Sequence, residues 1–319
     1  MGMTDIELTE HCKQILRNSS IKKNQIVILC EGIVRDVAGG RSPQAYGNMD
    51  RLPDANFYLS CVPRTWRGKL RPKFINCGDR NDVINTYFRL VDLAKTAVTK
   101  LNPEKLFAII DLDLQPKAIA NYHIQDVETI FAQQYQNNKI LLKAIEQHRI
   151  LVTGLIHKEA YFLLPEFQEF LDLYTPQPLF KQEPVLLSDI YLKICAETTE
   201  DKDLMDAFER VSKRIDCCSQ IDRTCLENFK TSWCSQFTSC SDFPLRQDLI
   251  STLLTVRKAK PYWKQISFKT DDDSEERDEK DKIHREQLSL QLGKQISRQN
   301  WDNPANHLAY WFKLIYQFA

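Results

Sequence analysis

Three acids stand where chemistry is feasible. Asp111 and Asp113 close the run KLFAIIDLD, and Glu31 closes the run QIVILCEG. In an extended chain, residues at i and i+2 point to one side, so the spacing predicts that the two aspartates share a face. Two carboxylates pushed together repel unless a cation lies between them. An oxygen-only donor set suits Mg²⁺, Mn²⁺ or Ca²⁺. The plainer alternative is that one aspartate caps the next turn while the other is a solvated acid.

The elements that must hold these acids are short and apolar. Leu106–Ile110 with Leu112, bounded by Pro103 and Pro116, reads as a strand buried on both faces, and Ile26–Cys30 reads as another. Gly32 permits a tight turn or a positive φ directly after Glu31. Lys73–Gly78 reads as a third strand ending in a small turn, and 149–153 as a fourth. Helical periodicity over 4–20 and 82–100 alternates with these strands, which predicts an α/β fold built on a mostly parallel sheet flanked by helices. A helix is also expected over 124–147, with Leu141, Leu142 and Ile145 on its buried face, and a short strand over 56–62. From about 159 onward the pattern is mainly helical, including amphipathic segments at 185–197 and 203–215.

A strand ending in Glu-Gly followed by a strand ending in Asp-x-Asp resembles the TOPRIM domain, shared by topoisomerases, primases, recombination-repair proteins and nucleases of the overcoming-lysogenization-defect type. The likeness covers about the first half of the chain. It implies Glu31 as general acid, base or ligand and Asp111 and Asp113 as metal ligands. The nuclease branch carries a further acidic motif before a helix, matched here by HKEAYFLLPEF, which implies Glu159 as an added ligand. It also carries a late lysine facing phosphate, for which Lys258 and Lys260 are candidates, Lys260 being preferred. One departure is plain: the position four residues after Glu31 is Arg35, and an acid, Asp36, comes only one residue later. That puts a two-metal mechanism in more doubt than a one-metal mechanism.

With 319 residues the chain exceeds one ordinary core, and two domains are expected, 1–165 and 166–319, with a charged mobile segment near 270–286. Hydrophobic content of 43% and charged content of 27% belong to a globular protein, and zero formal net charge means that any contact with nucleic acid must be local. The most basic stretch is PRTWRGKLRPK, where Arg64, Arg67, Lys69 and Arg71 surround Trp66. Cations there would neutralise phosphates and the indole would stack on a base; a solvated loop with a partly buried Trp is the alternative. Ten cysteines lack zinc-ligand spacing and are read as reduced thiols. His157 is read as a surface residue, although it stands two residues from Glu159. The aromatic segment Asn306–Phe318 is expected to dock on the core or to form a homodimer contact. No apolar run approaches membrane-span length, and no signal-peptide core opens the chain, which points to the cytoplasm.

The expected activity is that of a Mg²⁺-dependent nuclease, with Mn²⁺ as a substitute. No G-x-x-x-x-G-K-[ST] motif occurs, so a separate ATPase partner is expected, as in anti-phage systems that pair a TOPRIM effector with an ATPase. The alternative is a metal- or nucleic-acid-binding module on the same fold that does not cleave. A third is a phosphotransfer domain binding Mg²⁺ with a nucleotide.

Overall fold

The computed structural model describes residues 2–18, 20–34, 52–63, 65–66, 71–96, 99–119, 126–215, 217–269 and 277–318. Arg35, Asp36, Arg64, Arg67, Lys69 and most of the 37–56 loop lie outside them. By internal contacts the chain forms two compact units rather than halves cut once near 165. One comprises 1–111, 140–152 and 293–319, and the other 112–139 and 153–292.

The first unit is α/β. Strands β1 (Val27–Cys30), β2 (Lys73–Asn76) and β3 (Leu106–Ile110) join Ile150–Val152 in a four-stranded parallel sheet, with β1 between β2 and β3 and Ile150–Val152 beyond β3. Every residue of these four strands is buried. That is why β1, β3 and Ile150–Val152 read as unbroken apolar runs rather than alternating ones, while β2 carries buried Lys73 and Asn76 at its two ends. The helix Asp5–Arg17 starts from a capping box, Thr4 with Glu7, and buries Leu8, Cys12 and Ile15. It packs on the helix Arg80–Thr96.

The C-terminal helix His307–Phe318 docks on this sheet, as its aromatic content suggests. Phe312 meets Phe74 of β2 edge-on at 5.8 Å, Phe318 meets Phe107 of β3 at 6.3 Å, and the Arg149 guanidinium lies 4.1 Å over Phe318.

Residues 56–62, expected as a strand, are helical within Pro53–Cys61. Pro53 presets the first turn, and Ala55, Tyr58 and Cys61 recur at a spacing of three on the buried side. The helix expected over 124–147 is broken. Among the described residues helix spans Val127–Gln134 and resumes at Ala144–Gln147, and between them Asn137 and Asn138 have φ of 48° and 55°, the backbone of a two-residue turn. Leu142, expected inside, is 66% exposed.

The second unit is mainly helical. Leu187–Ala196, Lys202–Val211, Leu226–Ser239 and Phe243–Val256 gather around Trp233, which stacks on Phe237 at 4.7 Å and donates its indole N–H to Leu249 O at 2.7 Å. A small antiparallel sheet, with Pro178–Phe180 between Glu183–Pro184 and Ile266–Phe268, completes it. No helix among the described residues is long and apolar enough to cross a membrane.

Candidate active-site residues

In the first unit the acids sit past the carboxyl ends of β1 and β3, where parallel sheets present ligand sites. Glu31 follows β1 directly, and its Oε1 accepts the backbone N–H of Asp111 at 2.8 Å. One strand-end acid is thereby fastened to the backbone of the other, and both are half-buried.

The turn after β1 is shaped by two glycines. Gly32 (φ +152°) and Gly78 (φ +85°) exchange N–H···O bonds of 2.8 Å each. A Cβ on Gly32 would lie 2.6 Å from Asn76 Nδ2 and from Asp54 Oδ2, so only glycine fits. Fully buried Asn76 fixes the same turn. Its Oδ1 accepts Ala55 N–H at 3.0 Å and the Cys30 thiol at 3.4 Å, and its Nδ2 donates to Ile33 O at 3.3 Å.

Sequence reasoning passed over Asn76 and Asp54. The signal for Asn76 was an amide at the last position of a buried strand, directly after Phe74 and Ile75. Asp79 and Asp82, beside Gly78, are spoken for as caps of the helix Arg80–Thr96. Asp79 Oδ1 accepts the N–H groups of Asn81 and Asp82, and Asp82 Oδ2 accepts that of Asp79.

Trp66, expected to stack on a base, is instead 5% exposed. Its ring lies 4.9 Å from Tyr316 and edge-on to Phe312 and Trp301. With its faces taken by protein rings, it has none to offer a nucleobase. Arg71 is exposed.

In the second unit Asp113 departs from the extended geometry that would align it with Asp111. Its φ is +46°, so the i, i+2 argument fails there. Asp113 N–H donates to Ile156 O at 2.9 Å, while Leu112 N–H donates to Thr153 Oγ1 at 3.0 Å. The Asp113 carboxylate accepts Leu114 N–H at 2.6 Å, and the Gln115 amide reaches its Oδ2 at 2.8 Å.

Beside this turn lies a charged cluster. His157, read as a surface residue, is buried at 7% exposure. Its Nε2 accepts the backbone N–H of Lys260 at 3.3 Å, so a neutral ring carries its proton on Nδ1. Nδ1 lies 3.2 Å from Glu159 Oε2, outside hydrogen-bond geometry. Burial holds His157 below the ordinary histidine value, with Lys260 adding to the effect against the pull of Glu159 and Asp113. Burial works to raise the Glu159 carboxyl, yet Lys158, His157 and Lys260 together carry it below its usual value. Lys260 Nζ is 3.7 Å from Glu159 Oε1 with its side chain 55% exposed, whereas Lys258 is engaged by Asp203 at 2.7 Å. Lys260 and Glu159, chosen from the sequence, are therefore neighbours, and Lys258 is not free.

Among the described residues no three His, Cys, Asp or Glu side chains converge as a metal-ligand set. That argues against an all-protein cage. Mg²⁺ has little need of one, since it keeps several waters and takes one or two carboxylates plus substrate phosphate. Hard carboxylate oxygens at Glu31 and Asp111 match that demand in donor type. The chain matches no family model, no curated protein and no solved structure.

Proposed function

We propose that the chain is a Mg²⁺-dependent nuclease that hydrolyses phosphodiester bonds of DNA or RNA. What carries the reading is the Asp111 N–H···Glu31 Oε1 bond, which couples two acids at the carboxyl ends of adjacent parallel strands.

In this proposal Asp111 and Glu31 bind the metal, and Asp113 and Glu159 serve as further ligands, as the TOPRIM resemblance implies. A bound divalent cation polarises phosphate and lowers the pKa of water. Glu31, held by the Asp111 amide, keeps a fixed carboxylate to receive a proton from the attacking water. Lys260 is long, mostly exposed and able to meet a phosphate oxygen, where a fixed positive charge stabilises the transition state. A separate ATPase would control the protein in an anti-phage setting in the cytoplasm.

The test is cleavage of plasmid, single-stranded DNA, tRNA and long RNA with Mg²⁺, Mn²⁺ or EDTA, with Asp111→Ala run alongside. Metal-dependent cleavage lost in the variant supports the proposal. Metal or nucleic-acid binding with no turnover, unchanged by adding an ATPase partner, points instead to a non-cleaving module.

A further inference from the structure

Residues 203–215 read from the sequence as an ordinary amphipathic segment, yet two of its arginines do not face solvent alone. The Arg214 side chain is 2% exposed. Its Nε donates to Glu128 Oε2 at 2.9 Å, its Nη2 to Glu128 Oε1, and the same Nη2 to the backbone carbonyl of Asp113 at 2.7 Å. Arg210 lies one helical turn earlier. Its Nε donates to Glu128 Oε1 at 3.2 Å and its Nη2 to the backbone carbonyl of Leu114.

Two guanidinium groups thus grip consecutive carbonyls of one turn, and one carboxylate ties the guanidinium groups together. All these residues belong to the second unit. The gripped turn is the one where Asp113 holds a left-handed backbone, which aspartate adopts more readily than most non-glycine residues and which the two arginines fix from outside.

We propose that Arg214, Arg210 and Glu128 form a clamp whose task is to position the Asp113 carboxylate for a divalent cation. The three are positioning residues, since the arginines bind the backbone carbonyls of Asp113 and Leu114 rather than the Asp113 carboxylate, and Glu128 holds the arginines. The inference rests on the assignment of Asp113 as a metal ligand. Guanidinium is required because its planar fork serves Glu128 and a carbonyl at once, which a lysine ammonium cannot reproduce in the same plane.

The experiment is Mn²⁺ binding to the full chain, read from the electron paramagnetic resonance signal of free Mn²⁺ and carried into the millimolar range. The titration is run where circular dichroism shows each variant folded. The variants are Asp113→Asn, Arg214→Lys, Glu128→Gln and the Asp113→Asn/Arg214→Lys pair. Asparagine keeps the acceptor for Leu114 N–H and tolerates the left-handed backbone, so besides the charge it removes only the Oδ2 acceptor of the Gln115 amide.

Arg214→Lys and Glu128→Gln are each expected to weaken Mn²⁺ binding about tenfold, the usual size for residues that orient a ligand. Arg214→Lys should add no further loss on top of Asp113→Asn. Parent-like binding by Arg214→Lys alongside lost binding by Asp113→Asn would overturn the clamp alone. So would equal losses from Arg214→Lys in both backgrounds, which mark general damage. Parent-like binding by Asp113→Asn, or none by the parent, would overturn the assignment of Asp113 and the clamp with it. Should Arg214→Lys not fold, Glu128→Gln and the more exposed Arg210→Lys decide the matter by the same measurement.

Discussion

Gly78→Ala is the sharpest probe of the turn that holds the Glu31 strand end. Gly78 has φ +85°, which an L-residue adopts at a cost of about 1–2 kcal/mol. The new methyl would also fall on Asp82 Oδ2, with Asp82 Cβ and Cγ only 3.1 Å away. Asp82 is 5% exposed and has little room to withdraw. Displacing its carboxylate breaks the bonds from Met3 N–H (2.8 Å) and Asp79 N–H (3.2 Å). Each such bond is worth about 0.5–1.5 kcal/mol net. The total is about 3 kcal/mol, or roughly a hundredfold in the folding equilibrium. Urea unfolding followed by tryptophan fluorescence measures it. The cause is checked by a cycle with Asp82→Ala, which loses the same two bonds and removes the carboxylate that the methyl strikes, leaving only the Cβ at 3.1 Å. The double variant should therefore cost no more than Gly78→Ala alone. Strictly additive costs, or a Gly78→Ala penalty below about 1 kcal/mol, would refute the steric argument.

Other outcomes follow from burial and charge. Trp66→Ala should cost about 3–5 kcal/mol as a buried aromatic truncation, read in a thermal melt; weaker oligonucleotide binding with an unchanged melt would contradict its packing on Tyr316. Burial raises the Asp82 carboxyl above its ordinary 3.8, so between that value and the folded value the native state binds more protons than the unfolded chain. Its contribution to stability accordingly falls as pH rises through that window. The stability difference between parent and Asp82→Asn should then shift against the parent from about pH 4 to about pH 7, and a flat difference would count against the assignment. Burial also pushes the Cys12 thiol up to about 12 and the Cys61 and Cys77 thiols well upward, while Cys217, Cys225, Cys234 and Cys240 are only partly covered. A thiol reagent at neutral pH should label those four first, and early loss of Cys77 in peptide mapping would mean that the first unit opens readily.

Much of the sheet was legible because burial on both faces leaves a direct mark in composition. Val27–Cys30, Leu106–Ile110 and Ile150–Val152 admit no polar side chain, and each apolar run ends where the sheet ends. What misled was local aromatic content read without its start signal. Phe57 and Tyr58 suggested a strand, whereas Pro53 and the spacing of Ala55, Tyr58 and Cys61 marked a helix. Asn137-Asn138 carried the turn that cut the 124–147 helix, but the apolar residues on either side hid it. Glu31 and Asp111 could be chosen by type and position at strand ends, whereas Glu159 and Lys260, both on short helical turns, came only through the family resemblance. The burial of His157 and Trp66 could not be read this way, since it depends on residues far away in sequence. The same holds for Arg210 and Arg214. At i and i+4 on a helix they look solvated, and only Glu128 and the carbonyls of Asp113 and Leu114 reveal what they hold.

The Glu31–Asp111 bond also bears on how a cation would be held. One Glu31 oxygen already accepts a backbone N–H, and no three described acids, histidines or cysteines converge. A hydrated Mg²⁺ or Mn²⁺ that takes its missing oxygens from a phosphodiester suits such an arrangement, whereas a tightly chelated Ca²⁺ demands more ligands than these acids supply. Metal and nucleic acid should then bind cooperatively, and linkage requires each to tighten the other by the same factor. A coupling of about fivefold or more is expected when Mn²⁺ is titrated with and without a cleavage-resistant phosphorothioate oligonucleotide. Asp111→Ala should abolish the coupling while its melting temperature stays near that of the parent, because its half-buried side chain sits beyond the strand end. Tight Mn²⁺ binding that is indifferent to the oligonucleotide would mean a closed metal site made by protein alone, and the substrate-completed arrangement would have to be abandoned.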